Sequence, residues 1–214
     1  MKIIHKKRIP LKYLKEIRKI HSKAWDYDYP NRTRFNYWVS ILMGVTDQDN
    51  RKCNSVYMAL NDNKKIIGYL SAYIYGKQKL FHPIMFLIHQ TARFLLFLSK
   101  DGRGCLTWRK LYKFHKYKSV DLGKAALLGK DYKKISEGLT VGIYPEYRNM
   151  GIYREMTKRL MEEVDGYYIF HTSTESVYKA HEAIGYKKIF EVPYFYPEKH
   201  TTFIMYGERG LLKL

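Results

Sequence analysis

The stretch VGIYPEYRNMGIY, residues 141–153, decides how this chain is interpreted. Apolar residues alternate up to Ile143, Pro145 ends the run, and Gly151 precedes residues with helical spacing. This order predicts a strand, a loop and a helix. Two interpretations of the loop are open. It is either an ordinary corner or a phosphate-binding loop, in which Gly151 lets the backbone approach an anion at the helix N-terminus and Arg148 adds a charge-assisted contact.

The segments around this stretch predict an α/β (α+β) fold with a largely antiparallel sheet. Two apolar runs separated by Asn-Asp-Asn predict a hairpin over residues 53–75. Two helices are predicted before it, the second ending at Gly44. Downstream of residue 152 the pattern predicts a helix, a strand, a helix closed by Gly185, and a final pair of strands.

Alternation in KKISEGLTVGIY predicts the strand before the loop. Strict alternation places five residues on one face of that strand: Ile135, Glu137, Leu139, Val141 and Ile143. Glu137 is therefore expected on an otherwise apolar face.

Residues 77–130 interrupt the pattern. One helix is predicted from Pro83 and a second from about Leu106 to Lys118, followed by a loop containing Gly123 and Gly129. We expect one domain over residues 1–214 with this helical segment as an insertion or lid, because connections between elements are usually much shorter.

Composition indicates a folded, strongly basic protein. The 214 residues are 46% hydrophobic and carry a formal net charge of +19, which favours anionic partners without choosing among them. No secretory signal is evident, and the apolar window at 80–100 contains His82, His89, Gln90 and Arg93, which argues against a single membrane span. We expect a cytoplasmic protein, peripheral to a membrane in one alternative, and a monomer or homodimer.

The combination of motifs resembles the GCN5-related N-acetyltransferase (GNAT) superfamily. VGIYPEYRNMGIY is similar to the Arg/Gln-x-x-Gly-x-Gly/Ala loop of that family through Arg148 and Gly151, and AHEAIGY is similar to its Tyr-x-x-x-Gly-Phe ending. The resemblance extends from about residue 132 to the end, and the hairpin and amino-terminal helices fit the first half. It implies a mixed, mostly antiparallel central sheet flanked by helices. The chain departs from the family at residues 77–130, at Tyr153 where a small residue is usual, and at His181 where a tyrosine is usual.

The resemblance also implies a cofactor, acetyl-CoA, and the residues that hold it. Backbone groups of Val141 to Ile143 would align the pantetheine arm and polarise the thioester, and amides of Asn149 to Arg154 would hold the diphosphate. The full predicted set is Leu139, Val141, Gly142, Ile143, Arg148, Asn149, Met150, Gly151, Ile152, Tyr153, Arg154 and Thr174.

Three residues are catalytic candidates. Glu137 is a candidate base acting through water, since the family's histone-directed members place a base there, or it is a glutamate paired with Lys133 or Lys134. His181 is a candidate proton donor to the leaving thiolate, or a helix histidine before a cap. Tyr178 is a fallback acid, or a packing residue.

Neither metal nor cysteine chemistry is indicated. His82 and His89, like His171 and His181, lack the spacing of a metal motif, and Cys53 and Cys105 lie outside any CxxC pair. We expect direct transfer in a ternary complex.

The segment 100–134 carries much of the charge, with eleven Lys/Arg against three Asp. A helix with this pattern would lie on an anionic membrane surface, dock an acyl-carrier protein, or cover the site of a phosphorylated substrate; otherwise it is an ordinary solvated basic face.

Three functions remain open. The first is transfer of an acetyl group from acetyl-CoA to a primary amine of a small molecule. The second is transfer of a longer acyl group from acyl-CoA or acyl-carrier protein near a membrane. The third, nucleic-acid binding, is disfavoured because the charge is spread along the chain without a recognisable motif.

Overall fold

The computed structural model describes residues 1–24, 33–51, 53–79, 81–128, 135–194 and 200–213. Within these residues seven strands form one sheet in the order β1-β2-β3-β4-β5-β7-β6, and among the described pairs only β4 and β5 run parallel. The strands are β1 (Lys2–Lys6), β2 (Ser55–Leu60), β3 (Ile66–Tyr73), β4 (Ser136–Ile143), β5 (Tyr167–Thr172), β6 (Lys187–Tyr194) and β7 (His200–Glu208). The predicted hairpin, the mostly antiparallel sheet and its strand-helix-strand unit are confirmed.

Helices cover both faces of the sheet. They are α1 (Leu14–Ala24), α2 (Arg34–Arg51), α3 (Pro83–Phe97), α4 (Lys100–Leu128), α5 (Ile152–Glu163) and α6 (Glu175–Ala183). On one face α5 packs against β2 and β3 and α6 against β5, whereas α1 and α4 pack on the other face and α2 and α3 lie beside them. Each face carries its own apolar core.

Three predicted helix ends are wrong: the end of α2 and both ends of α4. Helix α2 continues past Gly44, whose missing side chain makes room for the Arg109 guanidinium: a Cβ at 44 would lie 3.0 Å from that group. Helix α4 begins six residues before Leu106 and runs through Gly123, which was predicted to lie in a loop. Gly123 allows α4 to approach the sheet closely, because a Cβ there would lie 2.8 Å from Ile204 and 2.9 Å from Ile169. The other glycine of the predicted loop, Gly129, lies outside the described residues.

Candidate functional site

The centre of the sheet opens where β4 and β5 separate. These parallel strands pair at only two positions, Ser136 with Tyr168 and Glu137 with Ile169. Beyond them β4 continues to Ile143 beside β3, while β5 continues beside β7. The carboxyl-terminal parts of β4 and β5 therefore diverge. They form the two sides of a fork, which opens at the carboxyl ends of these two central strands.

A bulge in β4 lies at the base of this fork. Ser71 pairs with Thr140 but Ala72 pairs with Gly138, so Leu139 is an extra residue in β4. A bulge turns the residues beyond it to the opposite face. The prediction that five alternating residues share one face is consequently wrong. Leu139 packs in the α1 core, whereas Val141 and Ile143 pack against the α5 core.

The loop after β4 leads into the amino end of α5 at the mouth of the fork. Asn149 and Gly151 both have positive φ, 63° and 71°, and Gly151 is the N-cap of α5. Among the described residues no side chain caps this helix end, and a Cβ at Gly151 would have none of their atoms within 4 Å. The first-turn amides of a helix carry a partial positive charge, so the geometry suits an anion approaching through open space.

A groove of about 550 Å³ lies beside this helix end, between α5 and β1. Its walls include Lys2, Gly151, Glu155 and Arg159. Glu155 would repel an anion in the first turn of the helix, but its carboxylate accepts a hydrogen bond from the Arg159 guanidinium at 3.0 Å. This ion pair offsets the local negative charge.

A hydrogen bond between Tyr153 of α5 and His181 of α6 connects these two helices, on the face of the sheet that α5 covers. The Tyr153 hydroxyl donates a hydrogen bond to Nε2 of His181, and Nδ1–H of His181 donates to the Val177 carbonyl at 2.6 Å. Burial lowers the pKa of the His181 imidazole to about 4 and raises the pKa of the Tyr153 hydroxyl. Both groups are therefore neutral at pH 7, and the single imidazole proton lies on Nδ1.

Glu137 lies on the opposite face of β4, in contact with the long helix α4. Its side chain is fully buried, and Oε2 accepts a hydrogen bond from the Lys124 ammonium at 2.7 Å. Lys124 is itself buried and also lies 3.8 Å from Asp121. Lys124 of α4 is thus one partner of Glu137. The predicted partners Lys133 and Lys134 lie outside the described residues.

Comparison with solved structures identifies this arrangement of strands and helices. An acetyltransferase from Corynebacterium glutamicum, described as related to a histone acetyltransferase, superposes with a TM-score of 0.58 at 9% identity over 100% of both chains. The chain has the GNAT fold. Arylalkylamine N-acetyltransferase 2 from Aedes aegypti gives a TM-score of 0.55 at 15% identity, with 98% of this chain and 100% of that chain covered. An aminoglycoside 6′-N-acetyltransferase complexed with coenzyme A gives 0.53 at 11% identity, with 97% of each chain covered.

The GNAT fold is the fold predicted from the motifs, and the predicted resemblance is confirmed at that level. No protein-family model and no curated protein matches the chain by sequence. The likeness accordingly lies in the arrangement of the elements.

The GNAT fold brings most of the predicted cofactor residues to the fork and its loop. Arg148, Asn149, Met150 and Gly151 are exposed in the loop. The side chain of Ile152 belongs to the core, so that only its backbone faces the loop. The positions of the others differ: Gly142 contacts Tyr69 on the α1 face, Arg154 donates to the Lys213 carbonyl at 3.1 Å, and Thr174 is the exposed N-cap of α6.

Tyr178, the third catalytic candidate, lies one helical turn before His181 on α6 and makes different contacts. Its hydroxyl donates to Glu182 at 2.7 Å, and its ring stacks on Phe203 with centroids 4.5 Å apart. The hydrogen bond to Glu182 raises the pKa of the Tyr178 hydroxyl.

Two features of the site have no counterpart in the sequence predictions. On the α1 face, Nδ1 of His21 lies 2.6 Å from the Tyr69 hydroxyl, next to Gly142. On the α5 face, Tyr168 covers Gly138 so closely that a Cβ at 138 would lie 2.3 Å from its hydroxyl. The partners are far apart in sequence, so only the glycines of SEGLTVG signalled that large side chains approach β4.

Proposed function

We propose that this protein is an N-acetyltransferase that moves the acetyl group of acetyl-CoA to a primary amine of a small molecule, by direct transfer in a ternary complex. One observation carries the proposal: the uncapped, glycine-led amino end of α5 lies at the mouth of the fork between β4 and β5. A thioester in the fork and a diphosphate on the helix end would belong to one extended ligand. Acetyl-CoA has that shape.

The helix end supplies the diphosphate site in this proposal. Amides of Asn149 to Arg154 and the guanidinium of Arg148 hold the anion. The groove of about 550 Å³ has the size of a ligand pocket and offers Lys2 and Arg159 as cations. Leu139, Val141, Gly142 and Ile143 contribute main chain along the pantetheine arm, and Thr174 closes the far side. The coenzyme A complex of the aminoglycoside 6′-N-acetyltransferase, which shares this fold, supports this cofactor.

The reaction forms one bond and breaks one bond. The amine nitrogen attacks the thioester carbonyl carbon, a C–N bond forms, and the C–S bond breaks to release a thiolate. The nitrogen gives up one proton and the thiolate gains one, so the products are an N-acetyl amide and the free thiol of coenzyme A.

Glu137 is the proposed base, acting through water. The adjacent Lys124 ammonium stabilises the charged carboxylate, which is the form that accepts a proton. This contact also connects the base to α4, on the face of β4 opposite α5.

The proton for the thiolate is assigned to the Tyr153–His181 pair. The imidazole is neutral and its one proton is held by Val177, so it does not serve directly as an acid near pH 7. Tyr153 is therefore the proposed donor and His181 the residue that positions it. Tyr178, with its hydroxyl bonded to Glu182, is the less suitable donor.

A second candidate function is transfer of a longer acyl group from acyl-CoA or acyl-carrier protein, in the cytoplasm beside a membrane. The observation that favours it is the exposed apolar and basic surface of α3 and α4. The described helices include none that is both apolar enough and long enough to span a bilayer.

A mass-spectrometric screen tests the proposal. Pools of amines are incubated with protein and acetyl-CoA, and products heavier by one acetyl group are sought together with released thiol. Acetylated products that disappear with Gly151→Trp support the first function. Products formed only with palmitoyl-CoA support the second, and no acylated product from any pool with either donor contradicts both.

A further inference from the structure

Helix α3 carries an apolar stripe that is largely exposed. We define this outer stripe as Ile84, Leu87, Thr91, Phe94 and Leu98, which follow the three- and four-residue steps of one helix face. Its apolar members are 51%, 65%, 61% and 62% exposed, respectively. Buried Met85, Ala92 and Leu96 occupy the inner side of the same helix. Single exposed apolar residues are ordinary, but a continuous stripe of them indicates a contact surface.

Further large apolar side chains extend the outer stripe on both sides. Phe81, just before α3, and Phe86 and Phe97 on α3 flank it, and Phe114 of α4 is 62% exposed. The surface is thus rich in aromatic and aliphatic groups, as are helices that lie within a membrane interface.

The charge around the outer stripe is predominantly positive. Residues 81–118 contain eight Lys/Arg and a single acidic residue, Asp101, and α3 itself contains none. A groove of about 960 Å³ between α3 and α4 is lined by both basic and aromatic side chains. They include Arg93, Phe94, Phe97, Lys110, Lys113 and Phe114. Lys118 also lies over the Phe114 ring, 5.8 Å from its centroid.

The positive charge beside the outer stripe indicates which class of partner fits this surface. A second copy of the chain would bring an equally basic surface against the first, which is unfavourable. A bilayer with anionic headgroups offers negative charge at its surface and hydrocarbon just beneath it, so it complements both parts of the surface. We infer that the outer stripe and its basic flanks bind a bilayer that contains anionic phospholipids.

Docking in this way has a consequence for the site. Helix α4 runs from the basic flank at Lys110 to Lys124, which contacts Glu137 on β4. The inference stands without the acyltransferase proposal. If that proposal also holds, the bilayer lies on the same side of the sheet as α4 and the Lys124–Glu137 ion pair.

Vesicle co-sedimentation tests the inference. The wild-type protein is mixed with vesicles of phosphatidylcholine alone, or of phosphatidylcholine with about one-third phosphatidylglycerol. We expect at least about tenfold stronger binding to the anionic vesicles, weakening as sodium chloride rises from about 0.1 M to about 0.5 M. The double variant Leu87→Glu/Phe94→Glu should bind at least about tenfold more weakly.

A matched control is Leu211→Glu, which changes a 60% exposed leucine in the C-terminal turn and should bind within about twofold of wild type. Circular dichroism checks that each variant is folded. The inference is wrong if wild type does not bind anionic vesicles, or if the double variant binds as wild type does. It is also wrong if light scattering shows a dimer that Leu87→Glu/Phe94→Glu dissociates while no vesicle binding occurs.

Discussion

The imidazole of His181 is held in one protonation state by its surroundings, and this gives the protein a pH-dependent stability. Burial lowers its folded-state pKa from 6.5 to about 4. As the pH falls, the His181 imidazole is therefore protonated near pH 6.5 in the unfolded chain but only near pH 4 in the folded chain. This contribution is fully present above pH 6.5 and is lost as the pH falls toward 4, by about 3 kcal/mol in total.

Urea unfolding at pH 7.5 and pH 5 measures this loss. In His181→Gln, which has no titrating group at 181, the difference between the two pH values should shrink by about 1.5–2 kcal/mol. His115→Gln, which removes an exposed imidazole, should keep most of the wild-type difference. An unaltered pH difference in His181→Gln would show that His181 titrates normally in the folded protein.

The proposed role of Tyr153 depends on one contact, the hydrogen bond from its hydroxyl to His181. Tyr153→Phe keeps the ring but removes the proton that Nε2 of His181 accepts, at a cost of about 1–3 kcal/mol in stability. If Tyr153 protonates the thiolate, turnover should fall by about 10²-fold or more with coenzyme A affinity changed little. Steady-state kinetics and calorimetry separate the two quantities. Tyr178→Phe is the matched control, and equal losses in both variants would contradict the assignment.

At the scale of elements, the buried ion pair of Lys124 and Glu137 connects α4 to β4. Lys124→Met or Glu137→Gln alone leaves a buried charge without its main partner and should cost about 3–5 kcal/mol in unfolding free energy. The double variant removes both charges and should lie within about 1 kcal/mol of wild type. Additive losses in urea unfolding would show that the two side chains are not coupled.

The same double variant separates stability from catalysis. If Glu137 is the base, turnover stays low in the stable double variant. Recovery of activity along with stability would give Glu137 a purely structural role.

The sequence predicted the presence and order of the helices and strands better than it predicted which way the side chains of β4 face or where the helices end. Alternation located β4, but the extra residue Leu139 reverses the faces beyond it, and alternation contains no sign of a bulge. The glycines at 44 and 123 were interpreted as helix ends or loop because isolated glycine disfavours helix. Tertiary contacts with Arg109 and with the sheet explain why both lie inside helices.

At the scale of the whole molecule, the fold could be predicted because one local motif, VGIYPEYRNMGIY, fixes a strand-loop-helix unit around which the other elements fit. The site could be predicted only where it is local: the loop at 148–151 is continuous in sequence. The pairs Tyr153–His181, His21–Tyr69 and Lys124–Glu137 join different elements, and their partners depend on three-dimensional packing. The ion pair of Glu137 with α4 depends on residues 77–130, for which the resemblance gave no guide.

The central claim, that the amino end of α5 binds the diphosphate of coenzyme A, is tested most directly by calorimetric titration of coenzyme A into wild type, Gly151→Trp and Gly166→Trp. Both glycines have positive φ, 71° and 83°, and a Cβ at either would have no atom within 4 Å, so both variants carry a similar backbone strain of about 1–2 kcal/mol. Only the indole at 151 would occupy the space in front of the α5 amides. We predict binding to wild type and Gly166→Trp and loss of binding in Gly151→Trp; equal affinity in all three proteins, or no binding to wild type, would contradict the account.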